Sequence, residues 1–174
     1  MEKLYKTEGG ELHYWEAWVA GRRKVCVHTG RVGDTGQTEF HKVPRGEDPE
    51  DFLESLAEDP LARGFQEIDP SQMWSVDISI PTAGEWPSNK ELSQRHALED
   101  SLNEAVGWIG AGHVDGGESG GGCMTVFVEV VDVAASQATI LDCLHKLNIL
   151  SKATVTASPL EGDDSQQIIH RPGA

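Results

Sequence analysis

The chain has 174 residues, of which 38% are hydrophobic and 25% charged, and its formal net charge is −15. These values are typical of a folded globular protein with room for one average domain or two small ones. The charge argues against a chain that binds nucleic acid through overall basicity. Both halves are acidic, with 9 Lys/Arg against 15 Asp/Glu in residues 1–69 and 5 against 14 in residues 70–174.

Three patterns predict a cytoplasmic protein with no membrane anchor. No apolar run approaches the roughly 18 residues that a membrane span needs, and the first residues, Met-Glu-Lys-Leu-Tyr-Lys, lack the apolar core of a signal peptide. Cys26, Cys123 and Cys143 are odd in number and widely spaced. This arrangement favours reduced thiols over a disulfide framework.

The first half predicts an antiparallel β-meander followed by one helix. Short β-prone segments near residues 4–5, 12–19, 24–28 and 38–43 are separated by glycine-containing turns. Between the last two, Gly33 and Gly36 bracket Asp34-Thr35, which predicts a turn using positive φ angles. Pro49 and neighbouring acids favour a helix start, and Pro60 predicts the end of that helix.

A string within this meander, Gly30-Arg31-Val32-Gly33-x-x-Gly36-Gln37, resembles the core of the WGR domain. The aromatic segment 14–19 and the string Gly64-Phe65-Gln66-Glu67 resemble the family's opening strand and closing segment, so the resemblance covers about residues 1–69. Thr29 stands where the family has its Trp. In DNA-break-sensing polymerases of the family, that Trp and its neighbours help contact a DNA end, whereas many bacterial members have no assigned role.

The resemblance and a local surplus of cations indicate a binding face for nucleic acid or a protein partner. Residues 13–45 are net positive in an otherwise acidic chain, and a few cations on one face suffice for phosphate contacts. The default interpretation of Arg22-Arg23-Lys24 is a solvated hairpin tip. The alternative for Arg31 is a structural arginine whose hydrogen bonds tie the turn to the helix. The candidate binding residues are Arg22, Arg23, Lys24, Arg31, Gln37 and Lys42.

The second half restarts after a linker near Asp69-Pro70 with the order β-α-β-β-α-β, which resembles the ferredoxin-like plait. Ser88 and Glu91 predict a capping box at the first helix, and Asp132 caps the second. Residues 97–116 also resemble small domains of bacterial proteins. The eight glycines of residues 107–122 predict a strand and then a flexible hairpin loop. The expected organisation is a WGR-like domain at 1–69, a plait at 70–158 and a loose tail at 159–174.

We find no pattern in the sequence that predicts catalysis, a metal or a cofactor. The glycine-rich segment follows a helix and precedes a strand, and it contains the carboxylates of Asp115 and Glu118. A phosphate loop instead lies between a strand and a helix, and carboxylates inside it would repel phosphate. Cys26-x-His28 and the group His113, Asp115 and Glu118 lack the ligand number and spacing of a zinc site. Gly117-Glu118-Ser119-Gly120 lacks the strand-to-helix setting of a nucleophile elbow.

The sequence therefore predicts a non-enzymatic α+β interaction module that binds nucleic acid or protein through its basic residues. The competing hypothesis is an acidic inhibitor or immunity-type protein. Such a protein would occupy the basic site of a partner enzyme, with electrostatic attraction speeding association. Its contact residues would be Asp115, Glu118 and Glu129.

Overall fold

A computed structural model describes residues 1–161 and 165–173 as two compact units, Met1–Ile68 and Asp69–Ala174. The described residues form an α+β fold with three α-helices and two antiparallel sheets, of four and five strands. No helix in this part of the chain is both long and apolar enough to cross a membrane.

The first unit is a four-stranded meander covered on one face by a helix, as the sequence predicts. Strands β1 (Glu2–Glu8), β2 (Glu11–Gly21), β3 (Lys24–Arg31) and β4 (Gln37–Lys42) pair in chain order. Helix α1 (Pro49–Ala62) packs on the face that carries alternate residues of β2 and β3. Its core consists of Leu4, Trp15, Ala17, Val25, Val43, Leu53 and Ala57.

Both ends of α1 follow from local chemistry, although one prediction about them is wrong. The Asp48 carboxylate accepts a hydrogen bond from the Glu50 N–H, and Pro49 occupies the first turn. Pro60 does not end the helix, which continues to Ala62. Arg63 then donates its backbone N–H to the Asp59 carbonyl, so the last turn closes after the proline.

The two glycines of the β3–β4 turn are required for different reasons. Gly33 has a φ of 96°, as the turn prediction requires. Gly36 does not have a positive φ, and the prediction is wrong there. A Cβ at Gly36 would overlap the Tyr14 hydroxyl and the Thr29 carbonyl oxygen, and one at Gly30 would lie 2.8 Å from the same hydroxyl. Gly30 and Gly36 thus make room for the Tyr14 side chain.

The second unit is a ferredoxin-like plait with one added strand. Its chain order is β5 (Trp74–Pro81), α2 (Asn89–Trp108), β6 (Gly112–Gly120), β7 (Cys123–Val130), α3 (Val133–Lys146), β8 (Thr154–Pro159) and β9 (Gln167–His170). The sheet order β6-β7-β5-β8-β9 inserts β7 between β5 and β6, which splits the β-α-β unit as the plait requires. Ser88 and Glu91 form the predicted capping box.

Two segments predicted to lack regular structure are strands. Most of the expected hairpin loop belongs to β6, which runs to Gly120 and leaves only Gly121-Gly122 in the turn. Helix α2 lies so close to β6 that a Cβ at Gly117 would come within 2.8 Å of the Glu99 carboxylate. Residues 167–170 of the expected loose tail pair with β8 as β9. The remainder of that tail includes residues 162–164 and 174, which lie outside the described part.

We predict that Gly36→Ala destabilises the first unit by about 1–3 kcal/mol, because the new methyl group must displace Tyr14 or the β3 backbone. Urea unfolding followed by circular dichroism measures the loss. Gly107→Ala is the matched control, since a Cβ there meets nothing within 4 Å. Equal midpoints for Gly36→Ala and the native chain would contradict this account of the motif.

Candidate functional site

The predicted binding residues do not form a single face but lie at opposite ends of β3. Lys24 pairs with Lys42 at one end of the β3–β4 ladder, and Thr29 pairs with Gln37 at the other. Lys24 and Arg31 are seven residues apart on one strand, which corresponds to about 20 Å. Strand alternation also directs Lys24 and Arg31 to opposite faces of the sheet.

Four of the predicted cations lie together at one end of the sheet, beside an exposed aromatic ring that the sequence analysis did not select. We name this surface the basic end and define it as Arg22, Arg23, Lys24, Lys42 and Phe40. Phe40 pairs with Cys26, so its ring shares a face with Lys24 and Lys42. The Lys24 ammonium lies 3.5 Å from the centroid of this ring, which is 55% exposed.

The cations of the basic end are available to an external anion. Among the described residues, no carboxylate forms an ion pair with any of the four. Arg23 is partly committed, because its guanidinium donates a 2.7 Å hydrogen bond to the Val43 carbonyl. The Arg22 and Lys42 side chains are exposed, and the Lys24 ammonium lies against the Phe40 ring.

Arg31 is already neutralised by two carboxylates of its own unit. Its guanidinium lies 2.6 Å from Glu11 and 2.8 Å from Asp34. The hydrogen bonds that Arg31 donates to Glu11 and then to Asp34 raise its pKa above the ordinary arginine value. Arg31 is thus a hydrogen-bonding residue, as its alternative interpretation expected, but it ties the turn to β2 and not to the helix.

A row of buried polar side chains crosses the first sheet beside the glycine turn. His28 Nδ1 donates to a Glu16 carboxylate oxygen at 2.8 Å, and the Lys3 ammonium lies 3.2 Å from the other oxygen. The Tyr14 hydroxyl lies 3.1 Å from His28 Nε2. His28 is fully buried, and Tyr14 and Glu16 are at most 6% exposed.

This row has the connectivity of a proton relay but not the access that a catalytic group needs. A neutral imidazole that donates from Nδ1 to Glu16 offers Nε2 as an acceptor for the Tyr14 hydroxyl. A reacting group must come within hydrogen-bond reach of such a relay, and burial of all three members prevents this. The row is therefore a structural network.

The residues of the competing hypothesis do share one face of the second sheet. Glu129 on β7 is directly opposite His113, and Glu118 on β6 is opposite Thr125, which lies on the same side of β7 as Glu129. Asp115 joins them at a bulge between Val114 and Gly116. We call Asp115, Glu118 and Glu129 the acidic face. It is turned away from α2, whose Glu99 lies against Gly117 on the other side.

A cavity of about 380 Å³ lies beside the C-terminal end of α3, and the sequence analysis did not identify it. Its lining includes His145, Ser151 and His170. His170 Nε2 lies 2.9 Å from the Leu150 carbonyl, which occupies the nitrogen that could otherwise act as a base. Among the described lining residues, no hydrogen bond joins Ser151 to His145 or to His170, so the cavity shows no paired nucleophile and base.

Comparison with known proteins identifies no relative. No family model matches the chain, and no curated protein or solved structure matches it.

We predict that neither tyrosine of the folded chain ionises near pH 10. Burial raises the pKa of both Tyr5 and Tyr14, the second to about 12 with a further contribution from Glu16. Because folding raises these pKa values, the unfolded chain loses its tyrosine protons at a lower pH than the folded chain does. The resulting contribution to folding stability is complete below the ordinary pKa of 10.0 and is lost as the pH rises through the pKa of the folded state.

Ultraviolet absorbance of tyrosinate, recorded with and without urea, tests this prediction. The native chain should develop the signal only as it unfolds, whereas the urea-unfolded chain should titrate near the ordinary pKa of 10.0. Tyr14→Phe serves as the control. Between pH 10.0 and about 12, this variant should lose less folding stability than the native chain. A native titration that overlays the unfolded one would refute the burial argument.

Proposed function

We propose that this chain is a non-enzymatic binding protein whose WGR-like first unit binds single-stranded nucleic acid through the basic end. The observation that carries the proposal is the exposed Phe40 ring on the face that also carries Lys24 and Lys42, beside the turn that holds Arg22 and Arg23. Proteins that bind single strands combine cations that contact phosphates with aromatic rings on which bases stack. Lys24, Lys42 and Phe40 offer both on one face of the sheet.

Charge and sequence add support for a local site. The chain carries −15 overall, so long-range repulsion opposes nonspecific attachment of a polyanion. A ligand is then held only where the local surplus of cations faces it. The WGR-like string favours a nucleic acid, although the DNA-end contact of that family would involve Thr29 and Arg31, which lie away from the basic end. Three free cysteines fit a cytoplasmic setting.

Fluorescence anisotropy of a labelled oligodeoxythymidine across a salt series tests the proposal. Arg22→Ala/Lys24→Ala should lower the slope of log affinity against log salt by about 1.4, because each lost phosphate contact contributes about 0.7. Phe40→Ala should weaken binding by about 1–3 kcal/mol per stacked base without altering the slope. Arg23 is left unchanged because it also bonds the Val43 carbonyl.

Lys6→Ala/Arg63→Ala is the matched control, since it removes the same charge from two cations that already pair with Glu8 and Asp59. It should leave both affinity and slope close to those of the native chain. Equal losses in the two double variants would indicate a general charge effect instead of a site. No binding by the native chain at low salt would reject the nucleic-acid ligand.

The acidic face supports a second candidate function, that of an inhibitor which occupies a basic site on a partner protein. Asp115, Glu118 and Glu129 project from one face of neighbouring strands, so a single cationic surface could contact all three. No Lys or Arg in the described part of the chain forms an ion pair with any of them. Complementary charge of this kind chiefly accelerates association.

We predict that a partner captured by the native chain is lost with Asp115→Asn/Glu118→Gln and retained with Asp100→Asn/Glu104→Gln. The second variant neutralises two exposed carboxylates of α2 and is the matched control. Association rates measured by biolayer interferometry should fall in the first variant only. If capture instead depends on Arg22 and Lys24, the protein partner binds at the basic end.

A further inference from the structure

Three potential metal ligands converge where β6 begins and β7 ends. The sequence alone did not predict this group. His113 and Glu129 are directly opposite in the ladder, and His113 Nε2 lies 3.5 Å from a Glu129 carboxylate oxygen. A carboxylate oxygen of Asp115 completes the group, and all three ligand atoms lie within 4.8 Å of one another. We call this group the His113 cluster.

The backbone of β6 directs these side chains toward one point. The bulge between Val114 and Gly116 adds Asp115 as an extra residue, which places its carboxylate on the same side as His113. Gly116 has a φ of 124°, which side chains rarely tolerate. A Cβ at Gly112 would overlap the Glu129 carbonyl, so this glycine keeps the two strands in close register. Bulges commonly re-aim side chains beside sites.

The observed spacing suits a small divalent ion. In tetrahedral zinc sites the metal lies about 2.0–2.2 Å from nitrogen and oxygen ligands, which separates neighbouring ligand atoms by about 3.3–3.6 Å. The 3.5 Å between His113 and Glu129 falls in this interval. The Asp115 oxygen lies within 4.8 Å of the other two ligand atoms.

Electrostatics also favours a cation at this point. The carboxylates of Asp115 and Glu129 face each other, and like charges at short range repel. Within the described residues, the one ion-pair contact of these two carboxylates is that of Glu129 with the His113 ring. A divalent cation between the three side chains would offset both carboxylates and accept a ring nitrogen of His113 as a ligand.

We propose that His113, Asp115 and Glu129 bind a divalent first-row transition-metal ion such as Zn²⁺. An imidazole with two carboxylates favours this class over Ca²⁺, which takes six to eight oxygen ligands, and over Mg²⁺, which keeps most of its waters. His113 is 54% exposed at its side chain, so the site opens to solvent and leaves coordination positions for water. This proposal is independent of the basic end.

Isothermal titration of the full chain with zinc chloride at neutral pH tests the site, and the visible absorption of bound Co²⁺ reports its coordination. We expect one ion per chain. His113→Ala and Glu129→Gln should each weaken binding more than about tenfold, since even loss of a partner outside the coordination sphere costs that much. Both variants should also lose the tetrahedral Co²⁺ bands.

Glu118→Gln and His145→Ala are the matched controls. Glu118 lies on the same strand as Asp115, and His145 is an exposed imidazole of the same unit, but neither belongs to the cluster. Asp115→Asn, which leaves both His113 and Glu129 in place, gives a further measure of the third ligand. The proposal is overturned by the absence of saturable binding, by unchanged affinity in His113→Ala, or by equal losses in Glu118→Gln and Glu129→Gln.

Discussion

Glu16 is a carboxylate almost removed from water, and the first unit is arranged around the groups that compensate it. A buried charge is tolerated only when it is paired and hydrogen-bonded. Lys3 from β1 and His28 from β3 meet the two oxygens of Glu16 on β2, so three strands are fixed in one register. Tyr14 lies against the far nitrogen of His28, and its ring occupies the space that Gly30 and Gly36 leave. The glycine string that resembles the WGR core is therefore explained by packing in this chain.

Features that depend on neighbouring residues could be predicted from the sequence. The Ser88–Glu91 capping box, the Asp132 cap and the alternation of β5 and β7 are local, and the structure contains them. The β6 strand and the β9 strand could not be predicted in this way. Glycine content predicts a loop at β6, but hydrogen bonding to β7 and close contact with α2 make it a strand. Likewise β9 depends on β8, its partner in the sheet.

Dependence on strand pairing also explains which of the predicted site residues lie together. Lys24 and Lys42 are 18 positions apart but become direct partners in the ladder, whereas Arg31, nearer to Lys24 in sequence, lies at the other end. Spacing along the chain groups His113 and Asp115 with Glu118, whereas strand pairing places Glu129 directly opposite His113. Strand pairing decides such groupings, and it is set by contacts that residue spacing does not contain.

The place of β6 at the edge of the second sheet has a consequence for self-association. An edge strand with few side chains presents unpaired backbone groups to which another chain could add a strand. In β6, glycines supply such a backbone, but the bulge at Asp115 interrupts its hydrogen-bonding register, and two carboxylates stand along it. A second copy approaching this edge would meet a misaligned ladder and its own negative charge. The bulge and the two carboxylates of β6 are features that disfavour edge-to-edge pairing of strands.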